Sequence, residues 1–401
     1  MCIRYRGNDE WSFLKVLSYF RKLEMDANQA GDFHGIEGPV PVRRQSIEDL
    51  SEGHKRFLNA CKSAGFVYSS DMNHPDAHGV GLLPINDIEG FRFNMAAAYL
   101  NPIRNRMNLT IRTEVSVNRI LFEHNRAIGV DVESRGERFQ LYADEIVLCA
   151  GAIGSPVLLM RSGIGPMCEL KSLGIPVLQN LKGVGSNLRN HPMISVRYKN
   201  AKIEPYDPLI KPLFLRYTAR GSETPRDMTI EPDFDILTES VSYSSIAVRL
   251  ELPKSSGRLK LTSSQLFDLP TLDFNIVDPW DLERLREGVR IAMSLAERDE
   301  FAGMFQYRVS PHDDDISSDA AMDDWLLSNL SVAQHTSGTC MMGPSSNPMS
   351  VVNQYGYVHG IKGLRIADAS IMTNIVRANP NATTIMIGEK MADWVIDGIG
   401  E

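Results

Sequence analysis

The stretch AQHTSGTCMMG, residues 333–343, sets one histidine, His335, among small and apolar residues. No Asp, Glu, Lys or Arg lies between Val332 and Gly360. Three kinds of chemistry suit such a histidine. Its imidazole titrates near neutrality and can move a proton. It could ligate a metal with Cys340, five residues on. It could also be a core residue bonded to backbone, the default for a lone histidine. The metal reading lacks ligands, because no second His, Cys or Asp cluster is spaced to complete a tetrahedral site. A serine hydrolase is also poorly supported. AIGSPV places Ser155 after a strand-like run but lacks the second glycine of a nucleophile elbow. GVGLLP and GVGSNL each hold a GxG without the third glycine or a strand–turn–helix context.

The elements that must position His335 alternate in style. Residues 1–60 read as helix and loop. In IEDLSEGHKRFLNACKSAGF, Leu50, Phe57, Leu58 and Cys61 share a helical face, and Ser46 is the expected cap. Residues 108–150 hold short β-branched runs separated by polar turns. The last of these, Glu145–Ala150, is apolar enough to predict a strand buried on both faces. It enters GAIGSPVLLMRSGIG, where Ser155 is the expected N-cap, Pro156 the first helical residue and Gly163 the stop. Strand, glycine turn and helix N-terminus together could turn backbone N–H groups toward a cofactor. An ordinary crossover has the same pattern.

Residues 195–330 predict a second lobe. ISVRYKN, SSIAVRLEL and GRLKLTSS alternate as half-solvated antiparallel strands do. A helix follows, with Asp278 as cap, Pro279 first, and Leu282, Leu285, Val289, Met293 and Ala296 on one face. KGLRIADAS then returns to a buried strand. NPNATTIMIGEKMADWVIDG closes the chain as a long apolar helix ending at Gly398. A chain that leaves one lobe, builds another and returns makes a discontinuous domain.

Composition sets the outer bounds. The chain has 401 residues, 43% hydrophobic and 23% charged, with net charge -8. Lys and Arg are scattered, which argues against nucleic acid as a partner. No apolar run is long enough to span a membrane. Five cysteines, widely spaced and odd in number, argue against a disulfide framework and fit a reducing, cytoplasmic compartment.

Taken in order, the segments resemble the glucose–methanol–choline (GMC) oxidoreductases, a family of FAD-dependent alcohol oxidases and dehydrogenases. GAIGSPVLLMRSGIGP is similar to the family's second signature, and LGIPVLQNLKGVGSNLRNHP to its continuation. HTSGTCMMG, VVNQYGYVHGIKGLRIADASIM and NATTIMIGEKMADW follow its C-terminal order. RGNDEW, HGIEGPVPV, FNMAAAYLNPIRNRMNLTIRT and RILFEHNRAIGV are similar to the pieces between. The likeness covers nearly the whole chain and is thinnest over residues 195–250. The family's opening βαβ unit with GxGxxG, and a Gly-Gly-Ser-Ser segment after it, have no counterpart here. That unit supplies much of the phosphate binding, so the expectation is that this chain alone holds FAD poorly.

The resemblance implies an α/β fold. An incomplete Rossmann-like FAD-binding region would cover residues 1–192, and a substrate domain on an antiparallel sheet residues 193–330. Residues 331–401 would return to the FAD-binding domain with the catalytic groups. It further implies that His335 takes the hydroxyl proton as hydride leaves for flavin N5. Asn379 would donate its amide to the substrate oxygen. The bland reading of Asn379 is a helix cap, with Pro380 as first helical residue. Asp368 and Ala369 resemble residues near the FAD diphosphate and ribityl chain. Val117 resembles a position whose backbone meets the adenine. Gln334 and Asn381 would contact the flavin ring. The implied partners are a small alcohol and O2 or another electron acceptor. Two alternatives stay open: a hydroxynitrile lyase of the same fold, and an inactive fragment unable to hold FAD.

Overall fold

The computed structural model describes residues 7–202, 212–238 and 241–399. The expected strands and helices are largely where the patterns put them. In chain order, helices α1 (Phe13–Leu23) and α2 (Glu52–Ser63) precede short strands β1 (Tyr68–Ser69) and β2 (Gly79–Leu82). Strands β3 (Ser116–Glu123), β4 (Arg126–Ser134) and β5 (Glu137–Tyr142) form a three-stranded antiparallel sheet. Strand β6 (Ile146–Leu148) then enters α3 (Gly151–Arg161). Strands β7 (Pro192–Asn200), β8 (Leu213–Tyr217), β9 (Met228–Thr238) and β10 (Val241–Leu250) follow, then α4 (Pro279–Ala296), β11 (Phe305–Ser310), α5 (Asp319–Asn329) and β12 (Ser331–Val332). Strand β13 (Leu364–Ile366) and α6 (Asn381–Ile396) end the chain.

The largest sheet runs β11-β7-β10-β9-β8-β2-β1, with β12 added beside β7. Only the β1–β2 pair in it is parallel. β7 buries alternate residues, as its sequence predicts. Residues 68–82 supply two strands of this sheet, so the expected first segment, 1–192, also contributes to the second lobe. The GxG of GVGLLP is therefore a strand in this sheet, not a phosphate turn.

Two large hydrophobic cores form among the described residues, beside a small cluster of Met72, Ala77 and Phe214. One joins α1, α3, β13 and α6 through Leu159, Met160, Leu364, Ile366 and Met391. The other lies between the large sheet and α2, α4 and α5, through Phe57, Val196, Ile230, Val248, Leu285 and Leu326. α4 starts as predicted, with the Asp278 side chain accepting from the Trp280 N–H and Pro279 at the first position. Pro279 costs nothing there because its missing donor would have no helical partner.

Four local expectations need correction. α2 is capped by Ser51, not Ser46, whose hydroxyl accepts from Asp49 N–H one turn earlier. α3 begins at Gly151, so Ser155 and Pro156 lie inside the helix rather than at its start. Ser155 accepts from Ala150 N–H and donates to Asp368, holding the turn from within. α6 begins at Asn381 behind Pro380, so Asn379 does not cap it. Finally, the run at 145–150 is not buried on both faces. Among the described residues β6 pairs with β13 alone, Val147 is 39% exposed, and Cys149 and Ala150 lie open beside it. Residues 1–6, including Cys2, lie outside the described residues.

Candidate functional site

His335 sits where three chain segments meet. Arg189 and Ser337 exchange backbone hydrogen bonds at 2.9 and 3.0 Å. On the other side, Gly338 N–H and Cys340 N–H donate to Ala369 and Ser370 carbonyls at 3.1 and 2.8 Å. The small residues of the motif allow this close approach. Gly338 has φ +85°, and an added Cβ would come 2.6 Å from the Asn187 carbonyl oxygen. Only glycine adopts that conformation without strain and fits that space. Cys340 is fully buried, and burial pushes its thiol pKa up, so it behaves as a small apolar residue.

The imidazole itself is tethered on one side. Asn190 Oδ1 accepts from the His335 and His191 backbone N–H groups, each at 2.9 Å. Asn190 Nδ2 donates to Thr336 Oγ1 at 3.2 Å. His335 Nδ1 lies 2.8 Å from Nδ1 of His191, with the rings nearly perpendicular. Among the described residues, Nε2 of His335 has no hydrogen-bond partner. Burial, then the neighbouring His191 and Arg249, lower the His335 pKa to about 4, with Glu251 opposing. The ring is therefore neutral at pH 7.

Sequence reasoning missed the layer behind His335. His191 is wholly buried, and its Nε2 lies 2.9 Å from the Val376 carbonyl and 3.3 Å from Glu251 Oε2. Burial lowers the His191 pKa. Glu251 is 1% exposed, and its Oε1 accepts from Arg249 Nε and Thr229 Oγ1, both at 2.7 Å. Burial alone would raise the Glu251 pKa, but Arg249 and its other partners hold it down at about 2. Arg249 is shared with Glu231. A signal for this group was present. Arg249 and Glu251 are two apart on a strand end whose other residues are apolar, and such charges are buried only when paired.

The Asn379 loop is bound to the same group, because Val376 three residues earlier anchors on His191. Asn379 is exposed, and no described residue accepts or donates a hydrogen bond at its side chain. α6 starts with no side-chain cap, and its exposed first residues, Asn381 and Ala382, carry helix-end N–H groups without a side-chain acceptor. Gln334, beside His335, is exposed with φ +60°, a left-handed conformation that is strained for a residue with a Cβ.

The other predicted positions lie farther along the first core. Asp368 is 3% exposed and fully engaged. Its Oδ2 accepts from Gly151 N–H at 2.9 Å and Ser155 Oγ at 2.5 Å, and its Oδ1 accepts from Ser370 N–H at 2.8 Å. It thereby ties the α3 start to the segment carrying Ala369, whose carbonyl holds Gly338. Gly151 has φ +75°, and an added Cβ there would meet nothing within 4 Å. Ile153, Cys149, Ala150 and Val147 make an exposed apolar strip beside this opening. Val117 lies on the edge strand β3, which reaches α3 through Ile120 N–H donating to Ser162 Oγ. Among the described residues no hydrogen bond joins Val117 to His335.

Known proteins share this arrangement of sequence and fold. The family models for GMC oxidoreductase match residues 4–193 with their N-terminal part and residues 253–388 with their C-terminal part. An oxygen-dependent choline dehydrogenase of Chromohalobacter salexigens is 34% identical, the match covering 97% of this chain and 75% of that protein. A 5-(hydroxymethyl)furfural oxidase of Methylovorus sp. is also 34% identical, over 97% of this chain and 77% of the relative. The crystal structure of pyridoxine 4-oxidase from Mesorbium loti superposes with TM-score 0.90 at 28% identity, covering 97% of this chain and 78% of that one.

Proposed function

The chain belongs to the GMC oxidoreductase family, and we propose that it oxidises a small alcohol to an aldehyde or ketone with His335 as the base. It is an oxidoreductase, and its cofactor is FAD. The residues present fit part of that group, while the GxGxxG turn that would hold its diphosphate has no counterpart in this sequence. The opening at Gly151, where a Cβ would meet nothing, and the exposed apolar strip at Val147, Ala150 and Ile153 suit a flat ring system and its linker. The uncapped start of α6 favours an anionic atom of that group. FAD, when bound, supplies the hydride acceptor.

The chain's own residues do the rest. His335 is neutral at pH 7, half-buried, and fixed through its backbone by Asn190 and through Nδ1 by His191. That single arrangement, a tethered neutral imidazole with one nitrogen free, carries the reading. His335 takes the substrate hydroxyl proton. Asn379 donates its amide to the same oxygen as negative charge grows there. Being an amide, it takes no proton, so His335 acts as the only base of the pair. Gln334 and Asn381 would contact the flavin ring when FAD is bound. Asp368 and Ala369 would hold the turn near its diphosphate and ribityl chain, and Val117 would offer edge-strand backbone to the adenine. The two cores support reading residues 193–330 chiefly as the substrate lobe and residues 1–192 with 331–401 as the FAD-binding part.

The electron acceptor is O2 or another oxidant. No helix among the described residues is long and apolar enough to cross a membrane. Anaerobic addition of alcohols to the FAD-loaded protein tests the reading. Loss of flavin absorbance is expected. Unchanged flavin with every alcohol, together with release of cyanide from a hydroxynitrile, would favour the lyase chemistry instead.

A further inference from the structure

A neutral imidazole carries one ring proton, and which nitrogen bears it follows from what the other one meets. The Val376 carbonyl oxygen can only accept, and it lies 2.9 Å from His191 Nε2. Glu251 Oε2, 3.3 Å from the same nitrogen, also accepts and has no other partner among the described residues. Both demand a proton on Nε2. His191 is wholly buried, and burial with the Arg249 guanidinium outweighs the pull of Glu251 and keeps the ring neutral. Its Nδ1 is then a bare acceptor. His335 Nδ1 stands 2.8 Å away. Two lone pairs do not face each other at that distance, so His335 Nδ1 carries the proton between the rings.

We propose that His191, oriented by Val376 and Glu251, is a positioning residue that holds His335 as its Nδ1–H tautomer and leaves Nε2 as the proton-accepting atom. The inference deepens the alcohol-oxidation reading and rests on it only for the source of the incoming proton. In that step the hydroxyl O–H bond breaks, its electron pair stays on oxygen, and a new N–H bond forms at His335 Nε2. The Nδ1–H bond stays on His335 and remains donated to His191. The imidazolium formed is opposed by the Glu251 carboxylate through the intervening ring. The opposite arrangement, with His191 donating from Nδ1, would put the His335 proton on Nε2 and make that atom a donor rather than a base.

The test is two-bond 1H–15N correlation of the histidine-labelled 401-residue chain at pH 7, with signals assigned by His191→Asn and His335→Gln. The expected spectrum has protonated Nε2 and bare Nδ1 for His191, and protonated Nδ1 with bare Nε2 for His335. A His335 signal with Nε2 protonated, or a doubly protonated His191, overturns the proposal. The variants add a second readout. Asn at position 191 offers an oxygen near the place of Nδ1, whereas His191→Leu offers none. The Leu variant should show mixed His335 tautomers and reduce flavin about tenfold more slowly with little change in KM. The Asn variant should keep the tautomer and recover most of the rate. Equal losses in both would mark His191 as merely structural. If no alcohol reduces flavin in any form, the alcohol reading fails, and the spectrum still decides the tautomer.

Discussion

The Nδ1 atoms of His191 and His335 face each other at 2.8 Å, with Glu251 and Val376 behind His191. The candidate base is thus one end of a polar chain that starts at Arg249 on the large sheet and runs through Glu251 and His191 to His335, with the Val376 carbonyl bound to His191 from the side. Each link in it gives an expectation that can be measured.

Asn379 is exposed and caps no helix. Asn379→Ala should therefore leave the unfolding midpoint unchanged. If its amide meets the substrate oxygen, turnover should fall by about 10²–10³-fold. Steady-state kinetics beside a urea titration separates the two effects. Loss of stability without loss of turnover would return Asn379 to a structural role.

Folding keeps several histidines neutral. The pKa values of His335 and His54 are lowered to about 4, chiefly by burial, and that of His191 is lowered as well. The unfolded chain takes up these protons near pH 6.5, before the folded one does. Stability present above pH 6.5 is therefore lost as pH falls from about 6.5 toward 4. Urea midpoints should drop between pH 7 and 4.5. A flat profile over that range would contradict the burial of these rings.

Glu251 is held ionised by Arg249, which keeps Glu231 as a second partner. Glu251→Gln retains the shape and removes the charge, so roughly 1–3 kcal/mol of stability should go. Glu251 also raises the His335 pKa against the effect of burial. Its neutralisation should shift the acid limb of the kcat/KM profile to lower pH. A shift upward would contradict the electrostatic link between the two.

Gly338 combines φ +85° with an Asn187 carbonyl oxygen 2.6 Å from where a Cβ would lie. Gly338→Ala should cost on the order of 1–3 kcal/mol. It should also slow turnover, because the same segment carries His335. Chemical denaturation of the variant reads the first effect directly.

Much of the fold was legible because periodicity and caps agree with it. The helix at 279–296 reads off Asp278, Pro279 and its apolar face, and all three are in place. Segment order likewise pointed to the family. Boundaries were less legible. Ser51 and Ser46 are both plausible caps for α2, and only tertiary packing chooses between them. Ser155-Pro156 has the pattern of a helix start. Asp368, more than 200 residues later, supplies the acceptor that lets α3 begin five residues earlier, at Gly151. The site was half legible. His335 stood out among small neighbours, but His191 and Glu251 act through contacts 144 and 60 residues apart from their partners in sequence. No local pattern encodes such pairing.

In the proposed reaction His335 takes the proton when an alcohol is oxidised. Anaerobic stopped-flow reduction of the FAD-loaded protein and its His335→Ala variant tests it most directly. Alcohol should bleach the flavin of the unmodified protein. Reduction should be slower by about 10²–10⁴-fold in the variant, at equal flavin content. Equal rates in the two proteins would contradict it.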